Sequence, residues 1–242
     1  MNSTPFLRIV QAVLIFGSLQ CASASLMFVS STDLTGTGLG AVDTVLTIQS
    51  PGSTTVATGC VGYTGSGDTF ASDVCGFADS NVKQGTSQSK TVLISDTGAS
   101  SAEDLRIVYN SSQPGGGAVT VAALDLRIYG SDGTVLFDSG MFTPLSFSST
   151  ETGTGKAGFV FGLDATQAAQ AQAFFTGSNR IGLGSEITDE VGGLETFFVT
   201  DIAGAGGGGA GGGEVPEPVS LILIGGGLLV LSLMRKGKVS AQ

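Results

Sequence analysis

The sequence predicts a mainly β protein of the all-β class: an antiparallel β-sandwich of jelly-roll type with one short helix. Several windows alternate apolar and polar residues with a period of two, which is typical of half-buried strands. Turn-forming residues, above all the 39 glycines, separate these windows. The strand windows do not alternate with helices as they would around a parallel sheet. A closed barrel is the main alternative architecture.

The two ends of the 242-residue chain differ from its middle. We expect a signal peptide over residues 1–24, a β-sandwich domain over 25–202 and a glycine-rich linker over 203–214. A C-terminal signal follows over 215–238 and contains an apolar transmembrane helix, 219–234. A domain of about 180 residues is long enough to bury a core.

The N-terminal segment has the three parts of a secretory signal. Arg8 supplies a positive charge, and an apolar run follows over residues 9–19. Ala22 and Ala24 fit the small-x-small cleavage rule, which predicts a cut after Ala24. The apolar run is too short to span a membrane comfortably.

The cysteines support export. Cleavage removes Cys21 and leaves Cys60 and Cys75, and two cysteines in an exported chain favour a disulfide. Two free thiols are the alternative. Cys21 itself could be the lipidated residue of a lipoprotein signal, although Gln20 occupies a position where a small residue is expected.

The strand windows place apolar residues on shared faces. The predicted sets are Val42, Leu46 and Ile48; Leu105, Ile107 and Tyr109; Leu124, Leu126 and Ile128; Phe159, Phe161 and Leu163; and Phe197 with Val199, opposite Leu194 with Phe198. The last window is apolar on both faces, which favours a strand buried on both. A glycine-rich segment at 114–117 separates two of the strands.

Two local signals complete the domain. Asp132-Gly133 predicts a two-residue hairpin turn, because such a turn requires positive φ at its two central residues and Asp and Gly accept it. One helix is predicted over 164–176, with Asp164 as its cap, Gln167 at the capping-box position and Gly177 at its end.

The tetrapeptide Asp-Leu-Arg-Ile occurs at 104–107 and again at 125–128. It is either a weak internal repeat or the result of two strands meeting the same packing requirement. If the two strands paired, their Asp and Arg side chains could form cross-strand ion pairs.

Composition excludes several functions. Residues 25–218 contain six basic and 20 acidic residues, a net charge of −14, so nucleic acid is a poor partner. The absence of histidine removes Ser-His-Asp and Cys-His catalysis and histidine-ligated zinc. Carboxylate chemistry remains open, but no convincing catalytic set is present, and we expect a protein that is not an enzyme.

Two short motifs have weak functional interpretations. Asp96 begins Asp-Thr-Gly-Ala, as in aspartic proteases, but no second copy exists, so only a symmetric dimer could build the catalytic pair. Residues 153–158 match the Gly-x-Gly-x-x-Gly pattern, but a dinucleotide site needs a strand before it and a helix after it. A turn and a hairpin loop explain the two segments better.

The sequence predicts no required cofactor, permits structural calcium and selects no metal ligands. Acidic residues near predicted strands are the candidates: Asp33, Asp43, Asp125, Glu195 and Asp201. Tyr63, Tyr109 and Tyr129 could stack on sugars if exposed, although packing in the core or at its rim is the commoner use.

The C-terminal segment is short for a permanent anchor. The predominantly apolar stretch of 16 residues, 219–234, would form a helix of roughly 24 Å, against a hydrocarbon core of about 30 Å. Three glycines at 225–227 weaken it further. Arg235, Lys236 and Lys238 would hold its end on the cytoplasmic side.

The order of these parts resembles the PEP-CTERM sorting signal of exported bacterial proteins. Val215, Pro216, Glu217 and Pro218 match its Pro-Glu-Pro motif, residues 221–234 match its helix and 235–238 match its basic end. The resemblance implies recognition by exosortase in the inner membrane and cleavage near Pro-Glu-Pro. It also implies a Gram-negative host that makes exopolysaccharide.

Together these features predict an exported protein of the cell surface or extracellular matrix, such as a biofilm matrix, with a structural or adhesive role. It would pass transiently through the inner membrane, and exopolysaccharide is a second potential partner. The alternative is a carbohydrate-binding sandwich module, with or without calcium.

Overall fold

The structure is a computed structural model that describes residues 26–33, 43–77, 81–112, 117–140, 142–147 and 157–201. The predicted signal peptide, linker and C-terminal signal lie outside these residues. Within the described ranges, no helix has the length and apolar character needed to cross a membrane.

The described residues form two antiparallel sheets, which confirms the prediction of a mainly β, sandwich-like fold. With strands numbered in chain order, sheet A runs β1 (Met27–Asp33), β10 (Ala157–Gly162), β6 (Arg106–Ser111), β12 (Glu195–Thr200) and β2 (Thr44–Ile48). Sheet B runs β4 (Asp68–Thr69), β3 (Val56–Tyr63), β11 (Arg180–Thr188), β7 (Val119–Tyr129) and β8 (Val135–Asp138). In sheet B, β5 (Val92–Leu93) also pairs with β11, and β9 (Leu145–Phe147) with β7.

The core lies between the sheets and consists largely of the predicted apolar faces. All predicted inward residues within the described ranges are buried, among them Leu126 and Phe161. Phe197 and Val199 are buried, whereas Leu194 is exposed and Phe198 is half-buried, so the expectation that this window is buried on both faces is wrong. Val42 lies outside the described residues.

The hairpin between β7 and β8 is present, but its loop has three residues rather than the predicted two. The N–H of Gly133 donates to Gly130 O (3.0 Å), and the N–H of Gly130 donates to Thr134 O (2.9 Å). Only Gly133 has positive φ, at 86°. The loop is therefore a turn followed by one left-handed glycine, because Asp132 keeps a negative φ.

The two Asp-Leu-Arg-Ile copies do not pair, because β6 belongs to sheet A and β7 to sheet B. Arg127 instead forms ion pairs with Asp125 of its own strand and Asp138 of β8. The condition for ion pairs between the two copies is therefore not met.

The predicted helix is α2 (Ala165–Gln172), capped by Asp164, whose Oδ1 accepts the Gln167 N–H at 2.8 Å. It ends before the predicted Gly177. Beyond Gln172, the N–H groups of Phe174 and Phe175 donate to the carbonyls three residues earlier, Ala171 and Gln172, as in a 3₁₀ turn. The Gln167 side chain is buried and donates to Ser139 O, so it does not close a capping box.

A second helix, α1 (Ser72–Cys75), was not predicted, because four residues carry no helical periodicity. The Cys60–Cys75 disulfide predicted from the sequence is present and ties α1 to β3, with a Cα–Cα distance of 5.7 Å. It anchors the segment that forms one wall of the cleft described next.

Candidate functional site

A cleft of about 380 Å³ opens on the face of sheet B that is turned away from sheet A. Leu126 and Ile128 of β7 point into the core, so Asp125 and Arg127, which alternate with them, point outward. We call this site the outer cleft; its lining includes Phe77, Asp125, Arg127, Asp138, Gly140 and Phe142.

Glycines on β11 let the wall of the outer cleft approach the sheet. A Cβ on Gly184 would lie 2.2 Å from a ring carbon of Phe77, so only glycine admits that ring. Gly182 likewise lies under the Tyr129 ring, where a Cβ would come within 2.9 Å. The segment around α1 therefore packs on a strip of backbone without side chains.

Arg127 lies between two carboxylates at the cleft. Its Nε is 2.9 Å from Asp125 Oδ2 and 2.9 Å from Asp138 Oδ2. Neither oxygen is in line with the N–H, so the contacts are ion pairs rather than hydrogen bonds. Nη1 donates to the backbone oxygen of Val74 at 2.9 Å, which holds α1 against the sheet.

Ser139 supports this cluster from beneath. Its hydroxyl donates to Asp125 Oδ1 at 3.1 Å and accepts the N–H of Leu126 at 2.9 Å. The Asp125 carboxylate is thus fixed on one side by a hydroxyl and on the other by a guanidinium.

Burial, and then the like charge of Asp138, raise the pKa of the Asp125 carboxyl to about 7. Burial alone would lower the pKa of Arg127, but the carboxylates of Asp125 and Asp138 outweigh it and raise that pKa. The guanidinium stays charged, and Asp125 is the group of this cluster that can gain or lose a proton near neutral pH.

The outer cleft suits the binding of hydroxyl groups. Carboxylate oxygens accept from hydroxyls and a guanidinium donates to them, while Phe77 and Phe142 supply apolar surface. The Oδ2 atoms of Asp125 and Asp138 are both 2.9 Å from Arg127 Nε, so they are at most about 6 Å apart. The carboxyl groups of an inverting glycosidase are roughly 6.5–9.5 Å apart, so this pair does not have that spacing.

A second group of polar residues is buried at one end of the sandwich. Glu190, in the β11–β12 loop, and Glu195, the first residue of β12, are each 0% exposed. The Tyr109 phenol donates to Glu195 Oε2, and the N–H of Ser50 donates to Glu190 Oε2 at 2.9 Å. We call Glu190, Glu195, Tyr109, Ser111 and Ser50 the buried carboxylate site.

The pKa of Tyr109 connects the members of this site. Burial, and then the nearby Glu195 carboxylate, raise the pKa of the phenol well above its ordinary value, and the Glu190 carboxylate adds to the effect. The Tyr109 phenol therefore lies within electrostatic reach of both carboxylates.

The proposed calcium candidates are dispersed. Asp43 pairs with Lys90 at 2.8 Å, Asp125 pairs with Arg127, and Glu195 accepts from Tyr109. Asp33 ends β1, and Asp201 follows β12 at the end opposite Glu195. Among the described residues, no three Asp, Glu or Cys side chains converge as a metal site.

The remaining candidates fall into structural positions. Asp96 is exposed at the end of a 3₁₀ turn, Ile94–Asp96, and accepts from the Ser95 hydroxyl at 3.0 Å. Tyr109 and Tyr129 are buried, while Arg180 covers the half-buried ring of Tyr63 at 4.9 Å. Residues 153–156 of the Gly-x-Gly-x-x-Gly match lie outside the described residues, and Ala157 and Gly158 begin β10.

The sorting motif Val215–Pro216–Glu217–Pro218, the cleavage residues Ala22 and Ala24, and the basic end Arg235, Lys236 and Lys238 all lie outside the described residues. Their predicted roles stay predictions.

Sequence reasoning did not select Arg127, Asp138 or Glu190 as site residues. The period-two pattern could have placed Arg127 beside Asp125 on the outer face of β7. Asp138 needed the hairpin register, in which it lies opposite Arg127. No protein-family model matches the chain, and no curated protein or solved structure matches it significantly.

Proposed function

We propose that this chain is an exported protein of the Gram-negative cell surface or extracellular matrix, with a structural or adhesive role. Its jelly-roll-like sandwich would be delivered by the signal peptide and processed by exosortase. The observation that carries the proposal is the tripartite C-terminal order: Pro216-Glu217-Pro218, a short apolar stretch and a basic end. The disulfide supports an oxidising destination.

The intact mass of the full-length gene product, recovered from cells and medium of an exosortase-containing host, tests this proposal. We expect loss of residues 1–24, loss of the segment beyond Pro-Glu-Pro and an oxidised Cys60–Cys75 pair. Glu217→Ala should retain the C-terminal segment, whereas Glu214→Ala, just outside the motif, should be processed normally. An unprocessed C-terminus in that host would contradict the sorting proposal.

A carbohydrate-binding role is the second candidate, and the outer cleft is the observation that favours it. Two carboxylates, a guanidinium and two phenylalanine rings border one cavity, which is the combination used to hold a hydroxyl-rich ring. An uncharged sugar fits the mixed charges better than an acidic one, because the two carboxylates outnumber the guanidinium.

Binding of the recovered protein to a glycan array and to the host exopolysaccharide tests this second role. Asp138→Ala should weaken binding at least tenfold, because it removes an acceptor at the cleft rim. Asp43→Asn, an exposed carboxylate of the Lys90 pair, should bind like the parent. Equal binding by all three proteins would remove the cleft from consideration.

A further inference from the structure

We propose that the buried carboxylate site binds a divalent cation of the calcium class through Glu190, Glu195 and the Ser50 and Ser111 hydroxyls. The site is separate from the outer cleft, lies inside the sandwich and is independent of the glycan-binding candidate. The choice of calcium rests on the proposed export, because extracellular modules bind calcium at about 10⁻⁴–10⁻³ M.

Strand register brings two of the four side chains together. Thr196 of β12 lies opposite Asn110 of β6, and Phe197 lies opposite Tyr109. The next step in this antiparallel pairing sets Glu195 beside Ser111, with both side chains on the inner face. On its other side, Glu195 lies opposite Ile48 of β2.

The β11–β12 loop brings Glu190 to the same end of the sandwich. Its N–H donates to Thr55 O at 3.0 Å, and its Oε2 accepts from the N–H of Ser50, two residues beyond Ile48. Glu190 is held by backbone groups on both sides and cannot turn outward without losing them.

Three oxygen atoms in this group make no hydrogen bond of good geometry within the described residues, although Ser111 Oγ lies near enough to the Tyr109 phenol to lower the pKa of that phenol. They are Glu190 Oε1, Ser50 Oγ and Ser111 Oγ, and each is enclosed by protein. Glu190 and Ser111 are 0% exposed and Ser50 is 6% exposed, so bulk solvent does not reach them. Buried polar atoms are nearly always satisfied, and three unsatisfied oxygens in one group call for a ligand.

The negative charge of Glu190 also favours a bound ligand, and specifically a cation. Among the described residues, no lysine or arginine forms an ion pair with Glu190, whose Oε1 is also unsatisfied. An uncompensated buried carboxylate costs several kcal/mol. A cation bound to Glu190 Oε1 would remove this cost and satisfy the hydroxyl oxygens at once.

The donor set selects the metal. Carboxylate and neutral oxygens suit calcium, which accepts irregular geometry and completes its shell with carbonyl oxygens or water. Zinc favours nitrogen and sulfur ligands, and this chain has no histidine. Magnesium requires nearly ideal octahedral geometry and keeps several waters, which suits an enclosed site poorly.

Calcium binding to the full chain recovered from cells, stripped with chelator, tests the proposal. We expect one bound calcium by isothermal titration, and a midpoint of thermal unfolding that rises in millimolar calcium and falls again with EDTA. Magnesium at the same concentration should raise the midpoint much less. Glu190→Gln should lower calcium affinity at least tenfold, whereas Asp43→Asn should bind as the parent does.

Ser111→Ala is the second variant, for the case in which Glu190→Gln does not fold; it removes one ligand oxygen and should lower affinity severalfold. No bound calcium and an unfolding midpoint unmoved by calcium would overturn the proposal, leaving buried water or a shared proton at the site. Calcium binding unaffected by both variants would overturn it as well. Neither result bears on sorting, which the intact mass decides separately.

Discussion

The outer cleft and the buried carboxylate site each bring two carboxylates together, but they neutralise them differently. At the cleft, where Asp125 is 9% and Asp138 is 40% exposed, Arg127 lies 2.9 Å from both. At the buried site, Glu190 and Glu195 are 0% exposed; Glu190 Oε2 accepts from the backbone N–H of Ser50, and Glu195 Oε2 accepts from the Tyr109 phenol. Among the described residues, Glu190 has no lysine or arginine ion pair and keeps one unsatisfied carboxylate oxygen, which is why we assign a cation to its site.

The change expected to have the largest effect removes the chain's own cation from the cleft. Arg127→Met should lower the free energy of unfolding by about 3–5 kcal/mol, because it leaves two adjacent carboxylates uncompensated and frees the Val74 oxygen. Urea denaturation at pH 8 measures the loss. The double variant Arg127→Met/Asp125→Asn should recover part of it, and a double variant no better than the single one would show that charge is not the cause.

The disulfide offers the next largest test, because it fixes the wall of the cleft and not the buried site. The bonded cysteines are 15 residues apart in sequence. The Cys60→Ser/Cys75→Ser double variant should lose about 3 kcal/mol of stability. Proteolysis should then cut the segment around α1 first, while calcium binding stays unchanged. Loss of calcium binding in this variant would show that the two regions are coupled.

Much of the sandwich follows from sequence pattern, and the exceptions have physical causes. The period-two windows identified the core faces of β6, β7 and β12, because apolar residues occupy every second position of those strands over at least four residues. They did not identify β3 and β11, because Gly62, Gly182 and Gly184 occupy outer-face positions where polar side chains would show the pattern. On these strands, glycine admits other parts of the chain, such as Phe77 on Gly184.

The two sites were predictable to different degrees. Asp125 was a candidate ligand, and its real partner, Arg127, lies two residues away on the same strand face. Glu190 follows Thr188-Asp189 and precedes Val191-Gly192, which is the pattern of an exposed polar turn. Its burial depends on Ser50, 140 residues away in sequence, and no local pattern carries that contact.

The pH dependence of stability sharpens the comparison, since it belongs to the cleft. The pKa of Asp125 is raised from 3.8 to about 7 in the folded chain. A raised folded pKa gives stability that is complete below the unfolded pKa and is lost as pH rises through the folded one. At about 1.4 kcal/mol per pH unit the ceiling is about 4 kcal/mol. We expect about half of it, because the neighbouring Asp138 side chain is 40% exposed and solvent screens part of the interaction.

Asp125→Asn should therefore become more stable relative to the parent as pH rises from 4 to 8, by about 2 kcal/mol in total. Urea denaturation of the two proteins across that range measures the difference. Asp138→Asn should shift the parent's transition to lower pH, because it removes the like charge that raises the pKa of Asp125. Parallel stability profiles for the parent and Asp125→Asn would place the titration elsewhere.

The smallest expected effect concerns the hydroxyl beneath the cleft. Ser139→Ala removes the donor to Asp125 Oδ1 and the acceptor for the Leu126 N–H, both in a buried position. We expect a loss of about 1–2 kcal/mol, because one buried donor is left unsatisfied. The pKa of Asp125 should also rise further, since the Ser139 hydroxyl favours the ionised carboxylate. A ¹³C NMR titration of the carboxyl group measures that shift, and a lower pKa in the variant would mean that Ser139 acts only through packing. At the buried carboxylate site, no hydroxyl of the described residues donates to Glu190 Oε1. Ser111→Ala should therefore alter calcium affinity and leave the pH dependence of stability unchanged.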